Sequence, residues 1–209
     1  MILEAKNVEY MYKSQKERKI LNNISVGFEE KKFYAIIGAS GAGKTTLLSL
    51  LAGLDSPTKG TILYEGENIL TKGLNYHRKN HVSLVFQEYN LIDYLTTEEN
   101  VILGGTDKPE ELLSKVNIPQ EAWKRNVMKL SGGQQQRAAI ARALASDAKV
   151  LLADEPTGNL DEQTAVGMIE LLKRTAHELG KCVIVVTHSK YLANEADEIV
   201  RITNGMIDS

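Results

Sequence analysis

Residues Gly38 to Thr45 read Gly-Ala-Ser-Gly-Ala-Gly-Lys-Thr, and the apolar run Phe33–Ile37 leads directly into them. Two glycines separated by four residues and followed by Lys44 and Thr45 form the pattern of a phosphate-binding loop. The pattern needs a strand before it and a helix after it, and residues 46–51 are predicted to continue as a helix. This stretch therefore predicts a strand, loop and helix that bind a nucleoside triphosphate.

The chemistry of this loop follows from its backbone. Successive N–H groups converge on the phosphates, and glycines are needed because a Cβ would block that approach. Lys44 is expected to reach the β- and γ-phosphates of ATP, and the Thr45 hydroxyl is expected to bind Mg²⁺. The residues predicted to contact the nucleotide are Gly38, Ser40, Gly41, Ala42, Gly43, Lys44, Thr45 and Thr46.

A second apolar run, Val150-Leu-Leu-Ala, ends in the carboxylates Asp154 and Glu155. Such a pair can be two ordinary acids at a strand end, with Pro156 starting a turn. Beside a phosphate loop the pattern favours catalysis, with Asp154 in the Mg²⁺ shell and Glu155 orienting and deprotonating the attacking water.

The segment Leu130-Ser-Gly-Gly-Gln134, called the signature segment below, opens a predicted helix at 134–145. Ser131 can serve simply as the helix N-cap. Consecutive glycines, however, leave N–H groups exposed at a positive helix end, which is a second anion site. A nucleotide has a single γ-phosphate, so a symmetric homodimer is predicted, with each chain's second site closing over the other chain's nucleotide. The residues of this second site are Ser131, Gly132, Gly133 and Gln134.

Short apolar runs at 82–86, 150–153, 183–187 and 199–202 predict buried strands. Between the strands at 150–153 and 183–187, apolar residues recur at helical steps and end before Gly180, a plausible helix C-terminal residue; they are Ala165, Met168, Ile169, Leu172, Ala176 and Leu179. This alternation predicts an α/β fold with a mostly parallel sheet and helices on both faces.

Two further parts complete the predicted domain, which spans residues 1–209. Residues 2–8, 24–28 and 62–64 predict an N-terminal antiparallel β addition. Residues 88–148 turn mainly helical and are predicted to be a helical subdomain inserted into a core formed by 1–87 and 149–209. The charged stretch 13–19 is predicted to be a solvated loop.

Composition narrows the possible partners. The 25 basic and 27 acidic residues give a net charge of −2, which argues against nucleic acid as the main partner. The single cysteine, Cys182, lies in an apolar run and has no partner for an internal disulfide, as suits a reducing cytosol. No signal peptide or membrane-crossing run is expected.

Together these motifs resemble the ATP-binding cassette nucleotide-binding domains along essentially the whole chain. The resemblance adds four residues: Tyr12 stacking on adenine, Gln87 contacting Mg²⁺ and reporting to a membrane partner, Asp161 in a loop that crosses the dimer interface, and His188 contacting the γ-phosphate. Each has a plainer interpretation, because Tyr12 can be a core or surface aromatic, Asp161 a helix N-cap and His188 a structural histidine.

The segments 84–91 and 153–161 resemble most closely the macrolide-, lipoprotein- and antibiotic-peptide-exporting group, although residues 100–130 are short for that group. The resemblance implies an ATPase subunit that lies in the cytoplasm against the inner face of the membrane and drives a separate integral membrane permease. The alternatives are an importer ATPase, a cassette ATPase that regulates a cell-division complex, and a phosphate-loop kinase. The mechanism of a phosphate-loop kinase has no role for the signature segment, Gln87 or His188.

Overall fold

The computed structural model describes residues 1–12 and 19–208. The predicted solvated loop at 13–19 lies outside the described residues except for Lys19. The strands in chain order are β1 Leu3–Tyr10, β2 Leu21–Phe28, β3 Phe33–Ile37, β4 Lys59–Tyr64, β5 Glu67–Asn68, β6 Val82–Val85, β7 Val150–Asp154, β8 Cys182–Val186, β9 Glu198–Thr203 and β10 Met206–Ile207.

The helices are α1 Lys44–Leu51, α2 Leu74–Asn80, α3 Thr97–Ile102, α4 Pro109–Lys115, α5 Gly132–Leu144, α6 Glu162–His177 and α7 Lys190–Glu195. Short 3-10 turns lie at Gln120–Ala122 and Val127–Lys129. None of the helices within the two described stretches combines the length and the apolar character required to cross a bilayer.

The central sheet has the strand order β10-β9-β3-β8-β7-β6. The pairs β9–β3, β3–β8, β8–β7 and β7–β6 are parallel, and β10 is antiparallel to β9. Every residue of β8 is buried, as expected for a strand covered on both faces. The predicted α/β fold is confirmed.

The central sheet has a hydrophobic core on each face. Along β3, Tyr34 and Ile36 join one core, which also receives the N-terminal strands and α1. Phe33 and Ala35 point to the other core, which is shared with α3, α4, α5 and α6. This alternation follows from the two-residue period of a strand. The division of the chain into a core and a subdomain at 88–148 stays a prediction.

The predicted N-terminal addition is a four-stranded antiparallel sheet in the order β2-β1-β4-β5. Its strands are longer than predicted, because residues such as the exposed Lys59 and the half-buried Asn22 extend the ladders beyond the apolar runs.

Two helix boundaries differ from the predictions for physical reasons. Helix α5 begins at Gly132 rather than at 134, because the Ser131 side chain caps it by accepting from Gln134 N–H. Helix α6 ends at His177, so Leu179, predicted on its apolar face, lies beyond the helix and is exposed. Gly180 follows with a φ of +73°, a conformation that ends helices and favours glycine.

Candidate functional site

The phosphate loop lies between β3 and α1, as its sequence predicts. Gly38 directly follows β3, and a Cβ there would lie 2.2 Å from the carbonyl oxygen of Ile202 in the adjacent strand β9. Only glycine therefore lets the chain turn this close to the sheet. The loop ends at Gly43, the residue before the first turn of α1, so its N–H groups lie at the positive end of that helix.

The Lys44 side chain folds back over its own loop. Its ammonium donates hydrogen bonds to the carbonyl oxygens of Gly38 and Ala39, each at 3.0 Å, and lies 3.4 Å from His188 Nε2. The side chain is buried apart from 5% of its surface, and carbonyl groups are its acceptors. Because these acceptors are neutral, they do not cancel the charge of the Lys44 ammonium. That charge can therefore pair with an anion that enters the loop.

Asp154 ends β7 beside the start of α1. Its Oδ1 atom accepts a hydrogen bond from the Thr45 hydroxyl at 3.4 Å. Burial raises the pKa of Asp154, while the Thr45 hydrogen bond and the Lys44 charge act in the opposite direction. No group of three or more His, Cys, Asp or Glu side chains that could hold a metal is found in the described part of the chain. A hydroxyl and one carboxylate suit Mg²⁺, which binds few protein ligands and uses substrate phosphates for the rest.

Glu155 adopts a left-handed backbone, with a φ of +47°. Such a conformation costs about 1–3 kcal/mol for a residue other than glycine and tends to occur at functional sites. The turn is held by Glu155 N–H, which donates to Val186 O at 2.9 Å, and by Glu155 Oε2, which accepts from His188 N–H at 3.2 Å. The Oε1 atom is buried, lies 3.4 Å from His188 Nε2 and makes no hydrogen bond within the described residues. This oxygen is therefore an acceptor for which the described part of the chain supplies no donor.

These groups meet in one cleft of about 430 Å³, called the nucleotide cleft below, lined by Ser40, Gly41, Lys44, Thr45, Gln87, Asp154, Glu155, Gly158 and His188. The carboxyl ends of β3, β6, β7 and β8 lead into it, so parallel strands bring together residues that are far apart in sequence. The signature segment does not line this cleft.

Tyr12 lies near α1, outside the nucleotide cleft. Its hydroxyl is 3.3 Å from the hydroxyl of Thr46, and its ring meets Tyr10 edge to face with centroids 5.2 Å apart. The ring is 45% exposed, so its free surface is available for stacking on a base. Its hydroxyl ties it to the helix that follows the phosphate loop.

The signature segment forms the predicted helix N-terminus. Ser131 Oγ accepts from Gln134 N–H at 3.3 Å, and Gln134 Oε1 accepts from Ser131 N–H at 3.1 Å, which is a capping box. The N–H groups of Gly132 and Gly133 begin α5 and have no acceptor in the helix itself. This end of the helix is therefore capped, and its predicted role as an anion site stays a prediction.

Asp161 caps α6, as its plainer interpretation predicts. Its two carboxylate oxygens accept from Thr164 N–H at 3.0 Å and from the Thr164 hydroxyl at 2.7 Å. These hydrogen bonds lower the pKa of Asp161. The structure thus shows a capping role for Asp161, and its predicted contact with a nucleotide stays a prediction.

The structure adds contacts of three residues that the sequence analysis did not predict. Thr164 packs against Gly133, the Tyr89 hydroxyl lies against Gly132, and Asn159 Nδ2 points at the carbonyl oxygen of Gln87 at 3.5 Å. Tyr89 had a weak local signal, since Asn90 beside it is a residue that favours turns. The other two depend on contacts between separate elements.

Comparisons with known proteins agree with this geometry. The family described as ABC transporter matches residues 21–158. An uncharacterized ABC transporter ATP-binding protein of Bacillus subtilis, YclH, is 43% identical over 98% of this chain and 94% of its own length. The lipoprotein-releasing system ATP-binding protein LolD 1 of Rhodopseudomonas palustris is 39% identical over 91% of this chain and 90% of its own.

Among solved structures, the dimeric post-hydrolysis state of the ATP-binding cassette MJ0796, bound to ADP and phosphate, superimposes with a TM-score of 0.87. It is 34% identical and covers 99% of this chain and 97% of its own. The chain therefore belongs to the ABC transporter family, as an ATPase nucleotide-binding subunit of that family.

Proposed function

We propose that two copies of this chain close around two ATP–Mg²⁺ and hydrolyse them to drive a separate membrane permease, which exports a peptide, lipoprotein or drug-like substrate. One observation carries the proposal: Lys44, Asp154 and Glu155 meet in one cleft, whereas the signature segment, the predicted second anion site, does not line it. A second copy of the chain is the simplest source of a signature segment that faces this cleft.

Each residue has a role that suits its surroundings. The loop N–H groups and Lys44 bind the phosphates, while Thr45, Asp154 and Gln87 hold the metal. Mg²⁺, when bound, supplies positive charge that stabilises the charge developing on the transferred phosphoryl group. Glu155 Oε1, which is buried without a hydrogen-bond donor, orients water and takes its proton. His188 lies beside both Lys44 and Glu155, where it contacts the γ-phosphate.

Dimer closure follows from the same contacts. The γ-phosphate is held by Lys44 of one chain and by Ser131 and Gly133 of the other, so it favours the closed dimer over the open one. Loss of that phosphate removes the bridge and reopens the dimer. The dimeric MJ0796 cassette bound to ADP and phosphate supports this arrangement for the present chain.

The catalytic proposal is tested with Glu155→Gln, which keeps the shape of the side chain and removes its basicity. We expect ATP affinity within about twofold of wild type and hydrolysis reduced at least about 100-fold, because a positioned base contributes this much. Glu162→Gln is the matched control, since Glu162 is a nearby exposed acid at the start of α6. Normal turnover by the Glu155→Gln chain would remove Glu155 from the mechanism.

The transport proposal is tested by what co-purifies with tagged Glu155→Gln chain from native membranes solubilised with ATP–Mg²⁺. A permease with a large extracytoplasmic domain supports export, in line with the similarity to the LolD 1 protein. A permease accompanied by a substrate-binding protein indicates an importer, and a division-site protein indicates a regulator. Recovery of soluble partners alone argues against a transporter.

A further inference from the structure

The turn that follows Gln87, residues 87–90, is conformationally unfavourable on its own. Tyr89 and Asn90 have φ values of +59° and +47°, so two consecutive residues with side chains adopt the left-handed region. This region disfavours residues other than glycine, although asparagine tolerates it better than most. Something outside the turn must therefore hold it.

Arg142 of α5 makes the contacts that hold this turn. Its guanidinium donates hydrogen bonds to Asn90 O at 2.6 Å and to Tyr89 O at 3.2 Å. Burial lowers the pKa of Arg142, and the guanidinium forms no ion pair with any carboxylate in stretches 1–12 and 19–208. Partial burial of the Arg142 charge is unfavourable unless the guanidinium forms hydrogen bonds. Its two acceptors are both carbonyl groups of this turn, so the same bonds stabilise the buried charge and the turn.

The turn also touches the other end of the same helix. The Tyr89 hydroxyl lies 3.1 Å from the place where a Cβ on Gly132 would be, at the first residue of α5. The turn therefore contacts α5 at two points ten residues apart, about 15 Å along the helix axis. Near the second point, a Cβ on Gly104 would lie 2.1 Å from Arg142 O, so the segment after α3 packs directly on the α5 backbone there.

We propose that Arg142 is a positioning residue that sets the place of Gln87 in the nucleotide cleft by holding the turn at 87–90 against α5. The inference rests on the proposed function, in which Gln87 helps to hold the metal that accompanies the nucleotide.

Arg137 provides a matched control on the same helix. It is also a half-buried arginine whose burial lowers its pKa, and it donates to a main-chain carbonyl, that of Val116, at 3.1 Å. This carbonyl lies just after α4, away from the turn at 87–90. Arg142→Met removes two hydrogen bonds to carbonyl oxygens and Arg137→Met removes one. Both variants keep an apolar stem, so a general loss of packing affects both.

The first measurement is amide hydrogen exchange in the nucleotide-free chain, which needs no catalysis. We expect Arg142→Met to speed exchange at residues 88–91 at least about tenfold, and Arg137→Met to leave these amides unchanged, because exchange reports local opening. The second measurement compares the effect of each variant on kcat with its effect on the Kd for ATP. Arg142→Met should lower kcat about 10- to 100-fold with the ATP Kd within about twofold, since small displacements of a positioned group cost this much.

Equal effects of the two methionine variants on kcat, or unchanged exchange at 88–91 in Arg142→Met, would overturn the inference. Arg142→Lys covers the case in which the methionine variant does not fold, because lysine keeps the charge but not the paired donors. Arg142→Lys should show faster exchange at 88–91 and a lower kcat, each to a smaller extent than Arg142→Met. Wild-type exchange together with wild-type kcat in Arg142→Lys would also overturn the inference. A wild-type chain without ATPase activity would instead remove the proposed function, while the exchange measurement still decides whether Arg142 holds the turn.

Discussion

Thr164 of α6 occupies the space next to Gly133 of α5, so closely that a Cβ on residue 133 would lie 2.5 Å from Thr164 Cγ2. The second glycine of the signature segment thus has a packing role within one chain as well as its proposed role at a phosphate. The same Thr164 donates its hydroxyl to Asp161 Oδ2 at 2.7 Å. The start of α5 and the cap of α6 are therefore joined through one side chain.

A Gly133→Ala substitution separates these two roles. We expect the added methyl to lower the free energy of unfolding by about 1–3 kcal/mol, because overpacking forces side chains and backbone apart. Adding Thr164→Ser removes the Cγ2 methyl and keeps the hydroxyl that donates to Asp161, so the double variant should recover most of the stability. Urea unfolding of the wild-type, single-variant and double-variant chains measures both changes.

ATP hydrolysis by the same double variant tests the second role. If residue 133 also approaches a phosphate across the dimer, its new methyl still hinders that approach, and activity stays low although the fold is restored. Full activity in the stable double variant would limit Gly133 to packing.

Buried histidines predict acid sensitivity. His77 is fully buried, with Nε2 2.9 Å from Leu51 O and Nδ1 3.1 Å from His81 Nδ1. Burial lowers the pKa of both histidines. The unfolded chain then binds more protons than the folded one below the ordinary histidine pKa of about 6.5. Stability should therefore be complete above that pH and decrease as the pH falls towards the folded-state values.

His77→Gln checks this prediction, since glutamine is neutral and its amide can still donate to the Leu51 carbonyl. We expect the variant to be less stable than wild type near neutral pH, but its free energy of unfolding should fall less steeply between about pH 6.5 and 5, a range above most carboxylate titrations. His81 remains and should keep part of the slope. Identical slopes for both chains would show that His77 does not titrate in this range.

The phosphate loop and the acid pair were predictable because their chemistry requires particular residues at fixed local spacing. Lys44 follows its glycines directly, and Asp154 and Glu155 lie at the end of the apolar strand β7. Parallel pairing of β7 with β8, and of β8 with β3, brings this strand end near the loop. The packing of Thr164 on Gly133 was not predictable, because it depends on how α5 and α6 approach each other. Leu179 shows a different limit: apolar periodicity continues in the sequence after the helix has ended.

The left-handed turn at Tyr89 and Asn90 was also hidden from the sequence. An Asn residue signals a turn locally, but a tyrosine at positive φ is unfavourable unless a distant group holds it. Here that group is Arg142, more than fifty residues later in the chain. A turn of this kind cannot be predicted from its own residues, because the side chain that stabilises it lies far away in the sequence.

Ser131 has two proposed roles, as the N-cap of α5 and as a contact to the γ-phosphate of the other chain. A Ser131→Asp substitution is expected to affect these two roles differently. As an N-cap, aspartate is as good as serine, and its charge also favours a helix N-terminus. Ser131→Asp should therefore keep or raise the stability of the fold, whereas Ser131→Ala loses the cap and about 1 kcal/mol. At a γ-phosphate the new carboxylate repels the ligand, so Ser131→Asp should abolish the dimer that ATP induces.

The dimer is measured by size-exclusion chromatography with ATP–Mg²⁺, in a Glu155→Gln background that prevents hydrolysis. We expect Glu155→Gln alone to elute as a dimer and Glu155→Gln with Ser131→Asp as a monomer. Measured without ATP, the thermal stability of the second variant should be equal to or higher than that of the first. Ser131→Ala in the same background is the control for lost capping, and it should retain part of the dimer because the N–H groups of Gly132 and Gly133 are still present. A full dimer with aspartate at 131 would leave Ser131 with capping alone, and the second anion site would then have to be assigned to the glycine N–H groups.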